Sequence, residues 1–223
     1  MIRVLIFLAL FAILPLNAQM CPCEFGKDKG AKTLRNEIGF NAFNLHEELI
    51  NFYSEKVKYV PTAFKGFTFK RHFNNYSLRA AYTYSQHDYS FTLDDAMNFN
   101  KNDGAGFNHD FRIGIEKTFN VSELQYFAGV DLVYNSGKYN GMTEGFGDFQ
   151  PYYKLPYNFT TTYYGLSPFV GIKYRFTQLL SASMESGLQM VGYSTNQSTL
   201  YQSENGIALM VQPIRSLGIN FHF

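Results

Sequence analysis

From about Leu34 to Phe223, apolar and polar residues alternate with a period of two. That is the period of a strand with one face against apolar surroundings; a helix repeats about every 3.6 residues. Ile38, Phe40 and Ala42 are offset from Glu37, Gly39 and Asn41, and Phe67 and Phe69 from Thr68 and Lys70. The segments around 76–85, 110–116, 124–134, 164–176, 180–190 and 216–223 repeat the pattern. The pattern predicts eight strands, an even number that closes an antiparallel up-and-down β-barrel. Several segments suit a tilted membrane crossing of about 9–11 residues.

The connections add a second signal, because they alternate long and short. The long ones fall at roughly 46–63, 87–106, 136–160 and 194–207, the short ones at Asn74-Asn75, Asn120-Val121-Ser122 and near Thr177-Gln178. Short turns on one side and long loops on the other are the asymmetry of a transmembrane barrel. Residues 47–54 fit a short helical turn less well than an extended loop or a continuation of the first strand. The Gly-, Tyr- and Asn-rich stretch 135–159 reads as a mobile loop or a cover over the barrel mouth.

Composition narrows the class. Aromatics make up 18% of the 223 residues, with 17 Tyr, 23 Phe and no Trp. The mean hydropathy of -0.19 argues against a helical membrane protein but not against a barrel, where only alternate residues meet lipid. Arg3, the apolar run 4–16 and the small residue Ala18 read as a secretory signal peptide over residues 1–18. A short periplasmic extension, 19–33, then precedes a barrel domain over 34–223. The chain holds 19 basic and 18 acidic residues, so losing Arg3 leaves 18 of each. No basic excess points to nucleic acid. Cys21 and Cys23, the only cysteines, flank Pro22 in an oxidising compartment. Two thiols alone are too few for a zinc site, and a local or intermolecular disulfide is the plainer reading.

With the apolar parity toward lipid, the opposite parity lines the lumen. It carries Glu37, Lys70, His72, Arg79, Asp110 and Arg112, then Glu116, Asp131, Lys173, Arg175, Glu185 and His222. Five are basic, five acidic and two are histidines. Charges in a low dielectric must be paired. Eight strands leave room for side chains and little more. Both considerations favour a salt-bridged plug over a water-filled pore. Arg215 has outward parity, which fits either snorkelling to the outer interface or a register change at Pro213.

Candidate chemistry is thin. Ser85 and His87 share a face near the top of the third strand, but same-face neighbours stand about 7 Å apart, too far for a direct nucleophile–base bond. Asp88 and His109-Asp110 turn their neighbouring side chains to opposite faces. His72 and His222 read as lumen hydrogen-bonding residues. No spacing implies a metal or an organic cofactor.

The closing segment Ser216-Leu217-Gly218-Ile219-Asn220-Phe221-His222-Phe223 resembles the last strand of bacterial outer-membrane β-barrels. With Tyr126-Phe127-Ala128-Gly129-Val130-Asp131 and the stretch 168–176, the chain is similar to small outer-membrane barrels of Bacteroidetes-type bacteria. The resemblance covers roughly 34–223. It implies an outer-membrane location and makes Gly218, Phe221 and Phe223 the signal read by the barrel-assembly machinery. It further implies a non-enzymatic structural, binding or adhesion role, with outer-membrane lipid around the barrel and external ligands met through the long loops. The alternatives are a rim-active hydrolase or acyltransferase acting on lipid, and a narrow pore.

Overall fold

The computed structural model describes residues 35–48, 58–94, 99–119, 123–147, 150–197 and 202–223. The expected signal peptide, 19–33 extension and turn at 120–122, and both cysteines, lie outside these residues. Among the described residues all regular structure is β: β1 Asn36–Glu48, β2 Lys58–Thr62, β3 Gly66–Phe73, β4 Tyr76–Asp94, β5 Phe99–Thr118, β6 Leu124–Gly147, β7 Gln150–Arg175, β8 Leu180–Gln197 and β9 Gln202–His222. Each strand pairs antiparallel with its neighbour in the order β2-β1-β3-β4-β5-β6-β7-β8-β9. β1 also pairs with β9, from Glu37↔His222 to Asn44↔Ser216, so the sheet closes on itself.

Nine strands make eight staves. The upper half of β1 pairs with β2 and its lower half with β3, so β2 and β3 are one stave interrupted at 63–65. Phe64 sits there at φ 52°, a left-handed conformation that L-residues adopt only under local constraint. Its N–H donates to the Asn41 carbonyl at 3.0 Å. A bulge in β1 between Asn41 and Phe43 lies at the same level. The bulge moves inward parity from odd residues (Glu37, Asn41) to even ones (Asn44, His46). Asn74 is also left-handed, at φ 55°, in the tight β3–β4 turn, where Asn is well tolerated.

The outer surface is sorted by height. Tyr82, Phe111, Tyr134 and Tyr164 form a continuous cross-strand row over four staves. Tyr76, Tyr126 and Tyr174 lie toward the short-turn end. Between the two sets the outward residues are aliphatic: Leu78, Ile113, Ile115, Val130, Leu132 and Leu166 are all exposed. Tyr126 and Tyr134 stand eight residues apart on one strand, about 21 Å of height at ~3.4 Å per residue and ~40° of tilt. This approaches the apolar band of about 25 Å, bordered by aromatic girdles, of a transmembrane barrel.

The long connections expected at 87–106, 136–160 and 194–207 are instead mostly ladder. Pairing continues to Asp94↔Phe99, Gly147↔Gln150 and Gln197↔Gln202. Backbone hydrogen bonds need no apolar side chains, so these strands run on past the apolar band with Asn, Gly, Thr and Tyr. Glycines make room for rings inside. Tyr89, Tyr139, Phe127, Phe169, Tyr157 and Tyr193 each face a cross-strand glycine: Gly104, Gly106, Gly171, Gly129, Gly141 and Gly206. At Gly129 an added Cβ would lie 2.5 Å from the Phe169 ring.

Candidate functional site

The interior is stacked in layers, each fed by inward positions of several staves. At the short-turn end Glu37 (β1), His72 (β3), Lys173 (β7) and His222 (β9) converge. Lys173 Nζ donates to Glu37 Oε2 at 2.6 Å, and His72 Nε2 lies 3.1 Å from the same oxygen. His222 Nδ1 is 3.6 Å from it.

The next layer is built around Arg79. Its guanidinium donates to both Glu185 oxygens at 2.9 and 3.0 Å and to Glu116 at 3.3 Å, and its Nε lies 3.4 Å from Asp131. Lys70 Nζ donates to Glu116 at 2.6 Å. Arg215 donates to Asp131 and lies 3.9 Å from Glu185. Two inward rings sit among the cations: Lys70 is 4.8 Å from the centroid of Phe127, while Arg79 and Arg215 are 4.3 and 5.1 Å from Phe169. Desolvated cation–π contacts of this kind contribute about 2 kcal/mol each.

Above it, Arg112 grips Asp110 through two hydrogen bonds of 2.8 and 3.0 Å and lies 3.7 Å from Glu47. His46 Nδ1 is 3.8 Å from Asp110. An apolar layer of Val133, Tyr163, Val191, Tyr193 and Met210 follows, then Tyr89, Tyr139, Tyr157 and Phe159. The Tyr139 and Phe159 rings stack at 4.4 Å with 7° between planes.

Of the residues assigned to the lumen from parity, Arg175 and His72 are half-buried and the others are buried. Arg215, His46 and Glu47 join them. Arg215, whose raw parity is outward, is buried, because β9 spends Gln212 to Ser216 opposite Gly187 to Glu185 of β8. Pro213 lacks the N–H the ladder needs, and the extra residues turn Arg215 inward. The bulge, not snorkelling, therefore accounts for Arg215. His46 and Glu47 belong to β1 rather than to a loop, and the bulge after Asn41 brings His46 inward. The buried acids are Glu37, Glu47, Asp110, Glu116, Asp131 and Glu185. The buried bases are Lys70, Arg79, Arg112, Lys173 and Arg215, so half-buried Arg175 balances six against six.

The rim residues are divided between the two faces of the barrel wall. Ser85 is sealed inside, Asp88 is on the outer face, and His87 packs beside Tyr89 and Tyr139, with ring centroids 6.2 Å away in each case. His109 faces outward against Tyr82, whose hydroxyl lies 2.9 Å from its Nδ1, while Asp110 points inward. On the closing strand Gly218 is buried, and Phe221 and Phe223 are exposed. Phe221 meets Phe40 of β1 edge-on at 6.3 Å.

A closed eight-stave β-barrel with an apolar exterior and a charged interior is the architecture of small outer-membrane β-barrel proteins. Among solved structures, the chain is similar to Ail, the attachment invasion locus protein of Yersinia pestis, at 10% identity and a TM-score of 0.39, covering 85% of this chain and 97% of that one. It is also similar to CarO2 of Acinetobacter baumannii, at 12% identity and a TM-score of 0.36, covering 85% and 97% respectively. No family model and no curated protein matches the chain.

Proposed function

We propose that this chain is a non-enzymatic outer-membrane barrel, of the small Bacteroidetes type, whose lumen is plugged and whose paired hairpins meet an external partner. The observation that carries the plug is the Arg79 layer. One guanidinium reaches Glu185, Glu116 and Asp131, contributed by β8, β5 and β6, and so bridges the lumen from wall to wall. Opening a water path there would separate charges that are paired only with one another. The rings of the two aromatic layers lie above it.

The hairpins β4–β5, β6–β7 and β8–β9 run beyond the girdles and offer Asn-, Tyr- and Gly-rich surface for binding or adhesion. The exposed Phe221 and Phe223 with Gly218 support recognition of the closing strand by the barrel-assembly machinery, and the aliphatic band supports seating in outer-membrane lipid. Single-channel recording in planar bilayers tests the plug. Refolded barrel is expected to insert without conductance, and a steady open state would overturn the reading. Protease added to intact cells is expected to cut between Asp94 and Phe99; full protection there would count against external hairpins.

A further inference from the structure

We propose that Glu37, His72 and His222 form a binding site for a divalent transition-metal cation of the zinc, nickel or copper class. The site spans the seam where β1 closes the barrel onto β9. Glu37 and His222 are direct partners across that seam, and His72 comes from β3 on the other side of β1. The Glu37 carboxylate already stands at metal-ligand separation from both histidines. Glu37 Oε2 is 3.1 Å from His72 Nε2 and 3.6 Å from His222 Nδ1, and all three lie within 4.8 Å of one another. Bonds of about 2.0–2.1 Å in tetrahedral geometry put ligand atoms roughly 3.3 Å apart.

Each imidazole is held as a ligand would be. The far nitrogen of His72, Nδ1, is 2.7 Å from Ser77 Oγ, and the far nitrogen of His222, Nε2, is 2.8 Å from Ser181 Oγ. Such partners fix ring orientation and leave the near nitrogen free to ligate. His222 Nδ1 is buried, faces Glu37, and makes no hydrogen bond among the described residues. Glu37 Oε1 makes none either, so Lys173 can shift from Oε2 to Oε1 without losing the carboxylate. His72, 18% exposed, leaves an approach from the short-turn mouth.

The surrounding charge selects the metal. Lys173 Nζ is 2.6 Å from Oε2 and Lys70 Nζ is 3.8 Å from Oε1 of Glu37. One carboxylate, already shared with two ammonium groups, offers too little anionic oxygen for hard cations such as calcium or magnesium. Two imidazoles favour a borderline cation, with water completing the fourth position. Bound metal would clamp β3, β1 and β9 together at the closure.

The test uses the untagged mature chain, folded in detergent micelles, carrying Cys21→Ser and Cys23→Ser so that thiols contribute nothing. Cobalt(II) is the probe. The expected result is a four-coordinate visible spectrum that zinc abolishes, with affinity at least about tenfold weaker in His72→Ala and in His222→Ala. Ser181→Ala is expected to weaken it by about 10–100-fold through the imidazole it holds. Lys173→Met is expected to tighten it, an outcome that a purely structural role for these residues does not produce. Zinc should also raise the temperature at which the folded gel band converts to the unfolded one, in the parent but not in His222→Ala. Absence of the spectrum in protein that migrates as folded would overturn the proposal. So would a spectrum unchanged in both histidine variants. Conductance is a separate readout, so the plug can fail without touching this result.

Discussion

Arg79→Met isolates the energetics of the interior. The substitution removes the cation that holds Glu185 through hydrogen bonds of 2.9 and 3.0 Å, and it weakens the containment of Glu116 and Asp131. Two charge-assisted hydrogen bonds at about 1.5–3 kcal/mol each sum to about 3–6 kcal/mol. Breaking a buried ion pair by deleting one partner costs about 3–5 kcal/mol. The two routes meet near 4 kcal/mol, roughly a thousandfold in the unfolding equilibrium. Methionine keeps the contact over Phe169, so little of this loss is packing. Deleting the partner as well, in Arg79→Met/Glu185→Met, removes one charge of each sign and keeps the interior balanced. That double variant is expected within about 2 kcal/mol of the parent, so the coupling is at least about 2 kcal/mol. Urea titration in micelles, read by the cold-gel shift between folded and unfolded bands, measures both. A single-variant loss below about 1 kcal/mol, or a double variant as costly as the sum of the singles, would refute the paired-charge account.

Leu132→Arg places a cation on the lipid face within the aliphatic band, and a loss of about 2–4 kcal/mol is expected in the same titration, against little effect from Tyr134→Arg at the girdle. Gly171→Ala would set a Cβ 2.5 Å from Cε2 of Phe127, and the displaced ring should cost about 1–3 kcal/mol and shift the Phe127 ring resonances by NMR. In the β6–β7 hairpin above the girdles, a hydrogen bond from Lys154, then one from Tyr152, holds the Glu144 carboxyl below its ordinary pKa. Its contribution is therefore complete above the ordinary carboxylate value and lost as pH falls through the lowered one; side-chain NMR titration should show Glu144 ionised where free glutamates are already protonating.

The period-two pattern makes the face of most residues legible. Glu116 and Lys173 lie in segments whose register is unbroken, so parity alone tells which wall they line. Legibility ends where the register changes. Arg215 follows the widened β9 ladder at Pro213, and His46 follows the bulge after Asn41; each inserts residues that a strict alternation cannot anticipate. Proline was the one visible mark, at 213, while nothing in Asn41-Ala42-Phe43 announces a bulge. The extension of the hairpins was hidden for a different reason: past the apolar band both faces meet polar or aromatic surroundings, so the ladder continues after the hydropathy signal has gone.

By itself, the sequence determined the fold class. Lipid demands an apolar exterior and a closed sheet demands alternation, and both demands are written along each strand. Partnership was decided by tertiary structure. That Arg79 meets Glu185, or that Glu37 meets His72 and His222, depends on which staves adjoin and at what register. Closure of β1 on β9 brings together residues 185 positions apart in the chain, Glu37 and His222, whose adjacency no local pattern encodes.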